Sequence, residues 1–295
     1  MGLLKSKLLL LISLLFISLL LPVQVLNKTG HFDFLNQQVI LLMYHHIGNH
    51  IVGKITVTPK LFCQQLDVLQ KEGYRVISLD QYANFLEGKT SLSGKNVIIT
   101  FDDGYESFYT YAYPELLKRH MSAANFIIVG FVGNPKEPLP RLTWTQMREM
   151  QAHGISFYPH AFKEHYLAFT YPYYQRKSCL TARIWLTSQK RWETEAEYQK
   201  RVSNDLRKAK EIMEQELGRK PLLHYAWPYG QDSPQALKIA QSVGFRYFYY
   251  TNDRLFNANS PYFYIPRFNA GNICISSQTL NKDIYKFALK QKFFS

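Results

Sequence analysis

Between Val39 and Tyr250 the chain alternates short apolar runs with stretches of helical periodicity, and this alternation restricts the fold more than any other feature. Val39–Tyr44 (VILLMY), Val97–Phe101 (VIITF), Ala124–Val129, Leu222–Trp227 and Phe245–Tyr250 are apolar almost throughout, as strands buried on both faces must be. Thr58–Glu72 opens on a Thr cap and a Pro, spaces Phe62, Leu66 and Leu69 along one face, and stops at Gly73. Tyr111–His120, Thr143–Ala152, Glu193–Leu217 and Pro234–Val243 also read as helices. Strands and helices alternating at these lengths predict parallel βαβ units, closed as a barrel or laid out as a doubly wound sheet. Residues 166–200, rich in Tyr, Lys and Arg, are less regular and are expected to form a long loop or inserted segment beside it.

Ahead of this region, Lys5 and Lys7 precede a run from Leu8 to Leu21 that holds only apolar residues and two serines and continues to Leu26. A basic flank before an apolar block predicts export, with residues 1–26 as a cleaved signal peptide or as an uncleaved anchor, since a span needs about 20 residues. Residues 27–38 are polar and read as a linker, leaving 39–295 as the folded domain. Net charge is +13, which favours anionic cell-surface material or membrane as a neighbour. No basic-aromatic motif or compact basic tract accompanies it, so a nucleic-acid partner is not expected. Cys63, Cys179 and Cys274 show no paired spacing, and neither a disulfide framework nor a cysteine zinc site is implied. The 21 Tyr and 20 Phe suit either surfaces on which sugar rings stack or a tyrosine-rich core.

The chemistry concentrates in two places. Asp102-Asp103-Gly104 follows the VIITF run directly, putting two carboxylates at the carboxyl end of a strand, where parallel folds build active sites. Consecutive strand residues point to opposite faces, so both carboxylates enter one pocket only if the chain turns there, and Gly104 permits the turn. One carboxylate can then bind a metal while the other acts as base. His160 and His165 are five residues apart, which aligns them on neither a helix nor a strand. They converge only if His160 ends a strand and the chain loops back, as at a metal site of two imidazoles and one carboxylate.

Taken together, these stretches resemble the polysaccharide deacetylase family, carbohydrate esterase family four. Asp102-Asp103 matches its first motif and the two histidines its second. The usual second motif has three residues between the histidines; four, as here, resembles the subgroup that deacetylates poly-β-1,6-N-acetylglucosamine in biofilm matrices. Met43-Tyr44-His45-His46-Ile47 is similar to that subgroup's early Tyr-His segment, Leu142-Thr143-Trp144 precedes the histidine motif, and Ala226-Trp227-Pro228-Tyr229-Gly230 resembles the third motif. The resemblance implies a distorted (β/α) barrel and a hydrolase of linear amide bonds. It implies that Asp103, His160 and His165 bind a divalent metal, Zn²⁺ first, with Co²⁺, Ni²⁺ or Fe²⁺ also suited. Asp102 becomes the general base, and the backbone N–H of Tyr229 joins the metal in stabilising the oxyanion. His45 becomes the general acid, with His46 as the neighbouring alternative. The third-motif Arg of other branches is replaced by Trp227, and Arg267 could orient Asp102 instead, unless it is a surface residue at a strand end. The implied partner is an N-acetylglucosamine polymer, met by a monomer that is secreted or anchored to the outer face of the cytoplasmic membrane. A peptidoglycan or chitin-oligomer deacetylase, and a non-catalytic glycan-binding surface protein on the same fold, are the competing readings.

Overall fold

The structure, a computed structural model, describes residues 39–218, 221–251 and 263–294; the expected export segment 1–26 and linker 27–38 lie outside them. The strands are β1 (Val39–Tyr44), β2 (His46–Ile47), β3 (Thr56–Val57), β4 (Arg75–Val76), β5 (Asn96–Asp102), β6 (Ala123–Ile128), β7 (Ile155–Ala161), β8 (Leu167–Tyr171), β9 (Gln175–Ser178), β10 (Arg183–Leu186), β11 (Arg191–Trp192), β12 (His224–Ala226), β13 (Tyr247–Tyr250) and β14 (Phe263–Phe268). The α-helices are α1 (Pro59–Lys71), α2 (Leu79–Leu86), α3 (Tyr113–Lys118), α4 (Trp144–Gln151), α5 (Glu195–Leu217), α6 (Pro234–Ser242) and α7 (Leu280–Phe294). Among them no helix is long and apolar enough to cross a membrane.

Seven parallel strands in the order β12-β13-β14-β1-β5-β6-β7 form a nearly closed barrel. Of the two arrangements that alternation allows, the barrel is therefore the one adopted. The proof of curvature is contact across the interior. Phe126 on β6 and Tyr249 on β13 are far apart in strand order, yet their rings lie 5.1 Å apart. At the seam Tyr158 on β7 meets His224 on β12 at 4.6 Å. The five apolar runs all become strands, and the Phe62, Leu66 and Leu69 stripe of α1 is fully buried against the barrel. Each such side chain contributes roughly 1.5–3 kcal/mol. Thr58 caps α1 by accepting a hydrogen bond from the Leu61 amide, and Thr143 and Thr194 form capping boxes on α4 and α5.

Two expectations change. Residues 166–200 do not form a loop: β8 to β11 make a four-stranded antiparallel sheet in the order β11-β10-β8-β9. Its inner face, with Ile184 and Ala168, packs on α5. Its outer face is aromatic rather than polar, with Phe169 at 49% and Trp185 at 42% exposure, and this hides the usual apolar–polar alternation. Secondly, the helix expected from Glu193 starts at Glu195, because Glu193 is buried and grips Arg201, with its Oε1 accepting from Nε at 2.7 Å.

Candidate active site

The carboxyl ends of the barrel strands bring the sequence-selected residues together at one rim. Along β5, Phe101 points outward onto Phe62 and Phe108, while Thr100 and Asp102 point inward. Alternation alone would send Asp103 outward. The chain instead enters the left-handed region at Asp103 (φ 73°) and stays there at Gly104 (φ 70°), so the turn begins one residue before the glycine that was expected to make it. A Cβ at Gly104 would lie 3.0 Å from the Ile127 side chain, which keeps the position small. Leu142 N–H donates to the Gly104 carbonyl and Arg141 Nη1 to the Asp103 carbonyl at 2.7 Å, holding the turn.

Asp103, His160 and His165 then face one another, with one ligand atom from each within 4.8 Å of the others. His160 Nε2 lies 3.6 Å and His165 Nε2 3.3 Å from Asp103 Oδ1. That oxygen is buried and accepts no hydrogen bond. His160 Nδ1 lies 2.7 Å from the Ala226 carbonyl, which can only accept, so Nδ1 carries the proton and Nε2 presents its lone pair to the site. Burial pushes the His160 imidazolium down to about 4, so the ring is neutral near pH 7 as a metal ligand must be. An orphaned carboxylate oxygen beside the His160 lone pair and a second imidazole Nε2 fits a divalent cation.

Asp102 is different. Arg267, on β14, clasps it in a two-pronged ion pair, Nη1 to Oδ1 at 2.6 Å and Nη2 to Oδ2 at 2.7 Å. Both side chains are fully buried, so Arg267 is an interior residue, not a surface arginine at a strand end. The same guanidinium lies over the Phe126 ring and donates to Thr100 Oγ1. Burial works to raise the Asp102 carboxyl, but Arg267, His160 and His45 outweigh it and hold the group at about 2. Asp103 is also held below its ordinary value: burial opposes this, and His165, His45 and His160 overcome it.

The histidine pair after β1 separates as strand alternation requires. Tyr44 turns outward and its hydroxyl donates to Gln65 Oε1, while His45 turns inward, its Nε2 3.9 Å from Asp102 Oδ2. His46 Nδ1 is 3.0 Å from Thr56 Oγ1 and its ring is edge-on to Tyr105, so of the two it is His45 that faces the carboxylates. Tyr229 also reaches the rim. Its backbone is left-handed (φ 58°), its ring lies 4.8 Å from that of His165, and its hydroxyl donates to the His165 carbonyl at 3.3 Å. Burial and the nearby Asp103 push its phenol up to about 12. Gly230 follows with φ 62°; a Cβ there would lie 2.1 Å from Thr251 Oγ1, so the motif's glycine is obligatory. Trp227, in the third-motif stretch, points away from the pocket and packs with Tyr225 and Phe248.

Sequence reasoning missed Asp205. It holds the loop between the two histidines by accepting hydrogen bonds from three of its amides. A signal was present: Asp205 is three residues after Val202 and four before Ala209, on the buried stripe of α5.

A parallel barrel whose carboxyl rim carries a His-His-Asp group that could hold a metal ion, beside a second, arginine-held carboxylate, is the arrangement of a polysaccharide-deacetylase-type hydrolase. The chain belongs to the polysaccharide deacetylase family, whose model matches residues 89–248. It is 26% identical over 234 residues to the poly-β-1,6-N-acetyl-D-glucosamine N-deacetylase of Escherichia coli strain K12, covering 75% of this chain and 35% of that protein. It thus spans about a third of the length of that relative. The Staphylococcus aureus (strain MRSA252) protein of the same name is 24% identical over 237 residues, covering 80% of this chain and 73% of its own. Among solved structures, the de-N-acetylase from Aggregatibacter actinomycetemcomitans superimposes with a TM-score of 0.72 at 22% identity, covering 84% of this chain and 99% of that one. IcaB from Ammonifex degensii gives 0.65 at 24%, covering 85% and 97%. These two likenesses establish the fold.

Proposed function

We propose that the chain is a metal-dependent N-deacetylase acting outside the cell on a β-1,6-linked N-acetylglucosamine polymer of a biofilm matrix. The reading is carried by the buried, unpartnered Asp103 Oδ1 between two imidazole Nε2 atoms, with a separately ionised carboxylate beside it. Asp103, His160 and His165 would hold the cation, Zn²⁺ or another of Co²⁺, Ni²⁺ and Fe²⁺. Such an ion, when bound, polarises an acetyl carbonyl and acidifies water.

The chain's own groups do the rest. Asp102, kept ionised by Arg267, takes a proton from the water whose oxygen attacks the acetyl carbon. The backbone N–H of Tyr229 faces the oxygen on which negative charge develops. The C–N bond then breaks with its electrons on nitrogen, and an amide anion is too basic to leave. His45 gives that nitrogen its proton, so the products are acetate and a free amine. The relatives named for the β-1,6 polymer and the four-residue histidine spacing support the polymer assignment. The basic flank and apolar run of residues 1–26 support export, by secretion or by anchorage to the outer face of the cytoplasmic membrane.

Acetate release from defined β-1,6 N-acetylglucosamine oligomers tests the reading. It is expected to cease with a strong chelator and return with Zn²⁺ or Co²⁺; full activity after verified metal removal contradicts it.

A further inference from the structure

We propose that Asp205 is a positioning residue for the metal site: from the middle of α5 it sets where His165 returns to face His160. The inference rests on the metal reading above and adds a residue outside the family motifs. Asp205 is 6% exposed, on a helix face where Val202, Leu206 and Ala209 are completely buried. Among the described residues no Lys, Arg or His pairs with it, so its charge is met by backbone alone. Its Oδ2 accepts from the Phe162 amide at 2.9 Å, and its Oδ1 from the Lys163 and Glu164 amides at 2.7 and 3.0 Å. Three consecutive amides aimed at one carboxylate are incompatible with a continuing strand. They bend the chain back immediately after β7, and that reversal is what lets two histidines five residues apart share one ion.

Neighbouring contacts fix the loop from other sides. One turn earlier on α5, Arg201 Nη1 donates to Glu164 Oε2 at 2.8 Å. Across the loop, Gly130 N–H donates to the Phe162 carbonyl at 2.8 Å, and a Cβ at Gly130 would lie 2.7 Å from that same oxygen. A buried carboxylate is costly on an apolar helix face, and here, among the described residues, its hydrogen bonds go to the segment between two ligands. Asparagine cannot replace it. Its single oxygen has two acceptor sites for three donors, and its NH₂ would confront the remaining amide.

The test compares Zn²⁺ affinity, by competition with a chromophoric chelator, and the Co²⁺ visible spectrum in the wild type, Asp205→Asn and Met213→Ala. Met213 is a buried core residue two turns further along α5 and serves as a control for lost stability alone. Asp205→Asn is expected to weaken Zn²⁺ about 10–100-fold, the usual effect of losing a group that orients metal ligands, and to alter the Co²⁺ bands. Met213→Ala is expected to lower the apo melting temperature and leave affinity and bands unchanged. If Asp205→Asn does not fold, Asp205→Glu, which keeps the charge on a longer arm, carries the same expectation. Wild-type affinity in whichever variant folds overturns the proposal, as does failure of both to fold even with metal present. A wild type that binds no Zn²⁺ or Co²⁺ would instead overturn the metal reading on which it rests.

Discussion

Replacing Arg267 with methionine keeps a long apolar arm in the barrel and removes the guanidinium that clasps Asp102 from two sides. The structure bounds the cost in two ways. The Asp102 carboxyl moves from 3.8 to about 2, against the pull of burial. At 1.36 kcal/mol per pKa unit, this makes the ionised form worth about 2 kcal/mol to the folded state. Stripping one partner from a buried pair generally costs more, about 3–5 kcal/mol, because the remaining charge is left desolvated. In Arg267→Met the carboxyl can escape by taking up a proton, which caps the loss, so we expect about 3 kcal/mol at pH 7 in urea denaturation of the metal-free protein. The sign with pH follows from the depressed value. The pair stabilises the fold above about pH 4 and ceases to as pH falls toward 2, so the gap between wild type and variant narrows in that window. The double variant Arg267→Met/Asp102→Asn should be more stable than the sum of the single losses predicts. A cost below about 1 kcal/mol at pH 7, or a gap unchanged down to the acid end, would mean that Arg267 does not hold Asp102 ionised.

His45→Ala is expected to keep metal and fold while losing about 10²-fold or more in amide hydrolysis, and much less on an activated ester whose leaving group needs no proton. His46→Ala should retain most amide hydrolysis; the reverse pattern would move the acid by one residue. Tyr229→Gly preserves the left-handed turn and the backbone N–H, so kcat should fall less than tenfold; a loss of about 10²-fold or more would assign the role to the phenol instead. For substrate, kcat/KM on β-1,6 oligomers should exceed that on β-1,4 oligomers, and a higher value on the latter would favour a chitin- or peptidoglycan-type deacetylase.

Much of this architecture was legible because local chemistry and global fold agree. VILLMY and VIITF read as strands since burial on both faces leaves almost no polar position, and Thr58-Pro59 announces the start of α1. The pairing of Asp102, Asp103, His160 and His165 was visible as residue types at a strand end and in a forced reversal. What escaped were features whose meaning depends on distant partners. Arg267 was half legible, as either a partner of Asp102 or a surface residue: it follows Pro266 on a strand that the pattern hardly marks, and Asp102 is 165 residues away on a strand separated from it by β1. The sheet at β8–β11 was obscured because Leu167 and Phe169 face outward while Thr170 faces inward, inverting the usual pattern. Asp205 looked like one more charge on a charged helix, and only the fold shows that three amides converge on it.

We propose a division of labour between adjacent carboxylates: Asp103 would hold the cation with His160 and His165, and Asp102, held by Arg267, would move the proton. Zn²⁺ titration of the wild type, Asp103→Asn and Asp102→Asn, each followed by acetate release, measures it directly. One tight site is expected in the wild type and in Asp102→Asn, and its loss in Asp103→Asn, with turnover reduced about 10²-fold or more in both variants. Equal metal content in the two variants, or a wild type that binds no zinc, would contradict the account.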